Sequence, residues 1–122
     1  MAVFSNIENI HQILDDFKAL LLTVDANISH YFGLSDGEPW RPYTVWTEYE
    51  LDGLYGGDTY AEPVWRVLVE RYTKDENDAV VLALMSKLAS APGVTFQYSL
   101  RRNQEIGMLY HAWDCEVASG AL

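Results

Sequence analysis

The apolar residues of this chain change their spacing repeatedly, and those changes constrain the fold more than any other feature of the sequence. Over residues 5–24, Ile7, Ile10, Leu14, Phe17, Leu21 and Val24 recur every three or four positions, with Ile13 and Leu20 widening the stripe. That is the period of one face of an α-helix. From Tyr43 to Glu50 the period falls to two, with Tyr43, Val45, Thr47 and Tyr49 on one face and Thr44, Trp46, Glu48 and Glu50 on the other, as a strand requires. The helical period returns at Val81, Leu84, Met85 and Leu88, and alternation returns at Val94, Phe96, Tyr98 and Leu100. The expected class is α+β: one antiparallel or mixed sheet of four to five strands with two amphipathic helices packed on it, in the order α-β-β-α-β-β.

Local signals set the boundaries. Ser5 and Glu8 read as a capping box, which predicts a helix start near Ser5, and Thr73 with Glu76 reads as a second one, opening a helix over roughly 75–90 that ends before Pro92-Gly93. Ser35–Pro42 (SDGEPWRP) reads as a loop. Pro63–Tyr72 (PVWRVLVERY) is rich in β-branched and aromatic residues and is the expected central strand, with proline at its first position. Leu51–Glu62 reads as a long hairpin connection, glycine-rich, acidic and carrying tyrosines. A polar turn at Arg102–Gln104 leads into a last strand over Ile106–Val117, giving a C-terminal hairpin.

A chain of 122 residues has room for one core, so a single domain over 1–122 is expected, and neither a repeat nor a linker interrupts it. The net charge of -10 is unevenly spread: residues 1–62 hold eleven acids against Lys18 and Arg41, and the remainder holds seven against six bases. Such a surface repels phosphate backbones and anionic lipid, which argues against ordinary nucleic-acid or membrane binding. The lone Cys115 has no partner for an internal disulfide, which suits reduced, cytosolic folding. No signal-peptide pattern opens the chain, and no apolar window reaches the length of a membrane span.

No catalytic, metal or cofactor motif emerges. His111 and Cys115 fall on one face of a strand, but about 13 Å apart, too far for one ion. Asp15 and Asp16 are helix neighbours that diverge; Glu48 and Glu50 read as a solvated stripe beside Trp46. Nucleophile elbow, P-loop and dinucleotide fingerprints are absent from the sequence. The expectation is therefore a non-enzyme without cofactor. The segment Tyr43–Tyr60 sets aromatic rings among carboxylates, a composition typical of interface anchors. The candidate interface residues are Trp46, Leu51, Leu54, Tyr55, Asp58 and Tyr60, joined by Arg101 and Arg102, whose better reading is pairing with acids. That several of these rings simply cap the sheet remains the alternative.

The order of elements, the length, and the passage from the strand VWRVLVERYT through DENDAVVLALMSKLAS to the hairpin VTFQYSLRRNQEIGMLYHAWDCEV resemble the tail terminator proteins of long-tailed bacteriophages. The resemblance covers nearly the whole chain and rests on architecture, not on a signature residue. It implies a structural virion protein assembled in the host cytoplasm. Such a protein closes into a ring, a homo-hexamer by likeness, on the last ring of the tail tube protein. There it stops tube growth and offers the surface to which a head-tail connector protein docks. DNA would pass through the ring without specific binding, past carboxylates that repel it. The resemblance also implies that Leu51–Glu62 projects toward a neighbouring ring and that Arg101 and Arg102 meet acids of the adjacent subunit. It supplies no catalytic residues. The competing reading is an acidic adaptor or inhibitor that masks a basic surface of a partner.

Overall fold

The β-branched run at the middle of the sequence becomes the middle of the sheet. In a computed structural model, which describes residues 2–31, 41–52, 55–56, 59–60 and 63–118, with side chains for 10–31, 41–52 and 63–118, Val64–Thr73 is strand β5. It lies third in a five-stranded sheet of order β1-β2-β5-β7-β6. Its neighbours are β2 (Tyr43–Asp52) and β7 (Met108–Ala118), both antiparallel to it. The edge strands are β1 (Ser29–His30), parallel to β2, and β6 (Val94–Asn103), antiparallel to β7. Between β2 and β5 the connection folds back as a small antiparallel pair, β3 (Tyr55–Gly56) with β4 (Thr59–Tyr60). Two helices complete the chain, α1 (Ala2–Leu22) and α2 (Ala79–Ser90). The α+β class and one mixed sheet with two helices match the expectation; the short strands β1, β3 and β4 are additions to it.

Both helices pack on one face. Trp46, Val69 and Trp113 stand side by side on adjacent strands, beside Val67, Cys115 and Val117, against Ile13, Phe17 and Leu21 of α1 and Leu84 and Leu88 of α2. The Phe17 ring meets Trp46 edge-on at 6.5 Å, and Trp65 donates its indole N–H to the carbonyl of Ile10. Burial of such side chains is worth about 1.5–3 kcal/mol each.

Within this apolar layer sits a buried cation. The Arg71 guanidinium of β5, only 7% exposed, bonds Asp78 at 3.0 and 3.2 Å, Asp25 at 3.5 Å and the Thr44 hydroxyl at 3.1 Å. Asp78 is the N-cap of α2, accepting from the Val80 N–H. Burial pushes its carboxyl upward, but hydrogen bonds from Thr73, Arg71 and Val80 outweigh that effect and leave it below its usual value.

Several boundaries differ from the sequence reading. The backbone of α1 is already helical at Ala2, so Ser5 lies inside the helix and not at its cap. Helix α2 starts at Ala79, not near 75: Thr73 and Asp75 spend their side chains on the N–H groups of Asp75 and Asn77 in a turn, and Asp78 caps instead. Strand β2 runs on to Asp52, with a bulge between Glu48 and Glu50 that breaks the simple alternation read from Tyr43 to Glu50. The β6–β7 turn lies beyond Asn103 and not at Arg102–Gln104, so Arg102 is still paired with Leu109. Gly107 takes φ +69 there with nothing within 4 Å of a Cβ, so its role is conformational and not steric. The expected loop at Ser35–Pro42 falls mostly outside the described residues.

Asparagine caps a helix as well as aspartate does, so Asp78→Asn isolates the charge. At neutral pH this variant should lose about 3 kcal/mol by leaving Arg71 short of a carboxylate. Because the folded carboxyl ionises below its unfolded value, the stabilisation is complete above about pH 4 and disappears as pH falls through the folded value. Denaturant unfolding of both proteins across pH should therefore show a gap that closes in acid; a gap independent of pH would contradict the assignment.

Candidate functional site

The face of the sheet away from the helices carries two groups of polar and aromatic side chains, one toward each end. At one end Tyr43, Tyr72, Tyr110 and Arg101 occupy the same row on β2, β5, β7 and β6. The rings of Tyr43 and Tyr72 stack at 4.6 Å with an interplanar angle of 17°, and Tyr72 meets Tyr110 at 4.9 Å. Both Tyr72 and Tyr110 donate their hydroxyls to the same oxygen of Glu70, at 3.3 and 2.5 Å. One carboxylate thus holds two rings of the ladder. Below the ladder, toward the β6–β7 turn, lies a cleft of about 430 Å³ whose walls include Ile106 and Met108. Arg102 is tied to Glu76 at 2.9 Å; Arg101 has no carboxylate within ion-pair distance among the described residues and faces Tyr110.

Proton affinity follows this geometry. Burial, then the charge of Glu70, then Tyr43, push the Tyr72 hydroxyl up to about 12. Burial and the bond to Glu70 push Tyr110 up further, and Arg101 pulls it back. Both hydroxyls remain donors at any physiological pH.

The other end is acidic. Arg66 of β5 is ringed by Asp52 at 2.7 Å, Glu116 at 3.1 Å and Glu50 at 3.3 Å, and Tyr49 donates to Asp114 at 2.6 Å. Four carboxylates share one guanidinium, so the group keeps a negative excess. The bulge at Glu48/Glu50 is what makes the cluster possible: Glu50 lands opposite Arg66, whereas unbroken alternation would have kept it beside Trp46.

The residues chosen from sequence divide between surface and core. Arg101, Arg102 and Leu51 are exposed, Leu51 by 40%. Trp46 is a core residue and not a surface anchor. It is 3% exposed on the helix-covered face, and its indole stacks on His30 at 4.0 Å while His30 binds Glu48 at 2.8 Å. Glu48 is accordingly part of that contact and not of a solvated stripe shared with Glu50. Tyr55 and Tyr60 pair with one another across β3 and β4. Leu54 and Asp58 lie outside the described residues. His111 and Cys115 do share a face, but each is engaged separately: His111 Nδ1 with the Tyr98 hydroxyl at 2.6 Å, the Cys115 thiol with the Trp113 carbonyl at 3.5 Å. Burial pushes the Cys115 thiol up to about 12, which makes it a poor nucleophile. Among the described residues no three His, Cys, Asp or Glu side chains converge as a metal-binding group, and no helix is long and apolar enough to cross a membrane.

Sequence reasoning missed the tyrosine ladder, Glu70 and Arg66. The signal that exists for them is positional: Arg66 and Glu70 interrupt an apolar strand at even spacing, and Tyr72 and Tyr110 become neighbours only once β5 and β7 are set in register. No known family model matches the chain, and no curated protein matches it.

Replacing Glu70 with Gln removes the shared acceptor's charge but leaves the rings buried. Tyr72 and Tyr110 should then ionise at lower pH than in the parent protein, whereas Arg101→Ala should move Tyr110 the opposite way. Ultraviolet difference titration reads both, and an unchanged curve for Glu70→Gln would count against the shared bond.

Proposed function

We propose that this chain is a structural assembly subunit of the tail-terminator type, one that closes into a ring on the end of a phage tail tube, halts its polymerisation and presents the docking surface for the head. The observation that carries the reading is strand β6: ten residues long, at the edge of the sheet, with no strand on its outer side among the described residues. Exposed Tyr98 and Leu100, the latter 51% accessible, lie along it. A long edge bearing apolar residues invites pairing with another chain. β2, β5, β7 and β6 alternate in direction, so the rims of β2 and β6 run opposite ways. β1 covers only the Val45–Trp46 stretch of β2. An antiparallel join of β6 to the β2 rim of a neighbour continues the sheet, and repetition of such a head-to-tail contact closes a ring. The resemblance of the sequence supplies the hexamer, the tail-tube and connector partners and the virion location. The charge of -10 suits a bore through which DNA slides without sticking.

A second reading is favoured by the acidic group around Arg66. There the chain is an adaptor or inhibitor that covers a basic partner surface one-to-one, with binding that weakens steeply in salt.

Sedimentation of the purified chain, alone and with assembled tail tubes, separates the two. The terminator reading expects ring-sized particles or subunits bound at tube ends. Leu100→Lys, which charges the free edge without touching the core, should reduce ring formation at least tenfold while the circular dichroism spectrum is retained. A parent chain that stays monomeric in the presence of tube ends would sink the reading.

A further inference from the structure

The open face of the sheet is self-complementary, and this deepens the assembly reading, on which it rests. From the register, we infer that the tyrosine–arginine cleft of one copy receives the acidic end of the same face of a second copy, with Arg101 pairing to the carboxylates at Glu50 and Asp52.

Three observations converge. The first is chemical: the cleft of about 430 Å³ bounded by Tyr43, Tyr72, Tyr110, Arg101, Ile106 and Met108 combines aromatic walls with a guanidinium that has no carboxylate in ion-pair reach among the described residues. Ile106 is 55% exposed beside it. Aromatic and arginine side chains around a shallow apolar depression are the composition of interface hot spots. The second is electrostatic. The acidic end holds Glu50, Asp52, Asp114 and Glu116 around a single Arg66, and Glu50 is its least committed member, 3.3 Å from Arg66 with its side chain 53% exposed. Leu51, 40% exposed, lies between the two β2 acids. The donor therefore carries an apolar side chain together with negative charge, as the cleft demands.

The third observation is geometric. Tyr110 and Glu116 are six residues apart on β7, about 20 Å along the strand. Within one molecule the acidic end cannot reach Arg101, so the two groups can satisfy each other only between copies. Arg101 also gains most from such a contact: the surplus carboxylates near Arg66 repel one another, and an outside guanidinium relieves them. A non-self acidic partner would meet the cleft with no counterpart for the acidic end, leaving one half of the face unexplained.

Charge reversal across the interface provides the test. Arg101 is exposed on an edge strand and Glu50 on the sheet surface, so Arg101→Glu and Glu50→Arg should both fold, which circular dichroism checks. Each alone should weaken self-association at least tenfold in sedimentation equilibrium, on tube ends or in solution, and the double variant should recover most of it. Ile106→Asp, which charges the cleft wall without touching either ionic partner, should weaken association as well. Single variants that associate like the parent, or a double variant no better than its parents, would overturn the inference. If Leu100→Lys abolishes assembly while Arg101→Glu leaves it intact, the edge reading stands and the cleft assignment falls. Capture of an unrelated acidic peptide by the cleft of a chain that never self-associates would also overturn it.

Discussion

A guanidinium inside a protein core persists only if its charge and its hydrogen-bond donors are met on several sides, and Arg71 meets that condition by drawing on four parts of the chain. Asp78 comes from the start of α2, Asp25 from the turn after α1, Thr44 from β2, and Arg71 itself from the central strand. The same Asp78 caps α2, so the cap and the ion pair are one object. Displacing any of these segments would leave a buried charge or a buried acceptor without its partner. The apolar layer supplies most of the driving force for collapse; the Arg71 cluster selects which collapsed arrangement is kept, by making the exit of α1 and the entry of α2 converge over the β2–β5 pair.

That selection leaves the two faces of the sheet with different work. The covered face spends its tryptophans and aliphatics on the helices, and even its histidines are tied down: His30 against Trp46 and Glu48, His111 against Tyr98. The uncovered face keeps its polar groups in pairs that fix geometry without hiding it. Glu70 positions two tyrosines, Arg66 gathers three acids, and Tyr49 reaches across to Asp114. These are surface contacts of modest individual energy, but together they hold the side chains in defined rotamers, which lowers the entropy a partner must overcome on binding.

The fold was legible wherever one residue type repeated at one period. The helical face of Leu84 and Leu88 and the alternation from Val94 onward depend on local spacing alone, and the centrality of β5 follows from its being apolar on adjacent positions. Helix starts were less legible because serine, threonine and aspartate compete for the same N–H groups: Thr73 offered a cap, but Asp78 had both the N–H groups of α2 and Arg71 to bind, and the intervening turn absorbed Thr73. Trp46 misled for a related reason. Its neighbours in sequence are polar, but its neighbours in space are Phe17 and His30, and a single strand does not reveal which face will be roofed by helices. The ladder and the acidic group required register, which no single segment carries.

The irregularity in β2 also has a bearing on how this chain tolerates change. Glu48 is opposite Val67 and Glu50 opposite Arg66, so Tyr49 is the residue the ladder skips. Removing one residue from the regular part of that strand would transpose everything on one side of the gap, sending carboxylates under the helices or Trp46 into water. Removing Tyr49 would not: the strand would become continuous, every remaining side chain would keep its side, and the loss would be confined to the hydroxyl contact with Asp114. Length variation in this strand is thus permitted at the one place where the backbone already carries a spare residue.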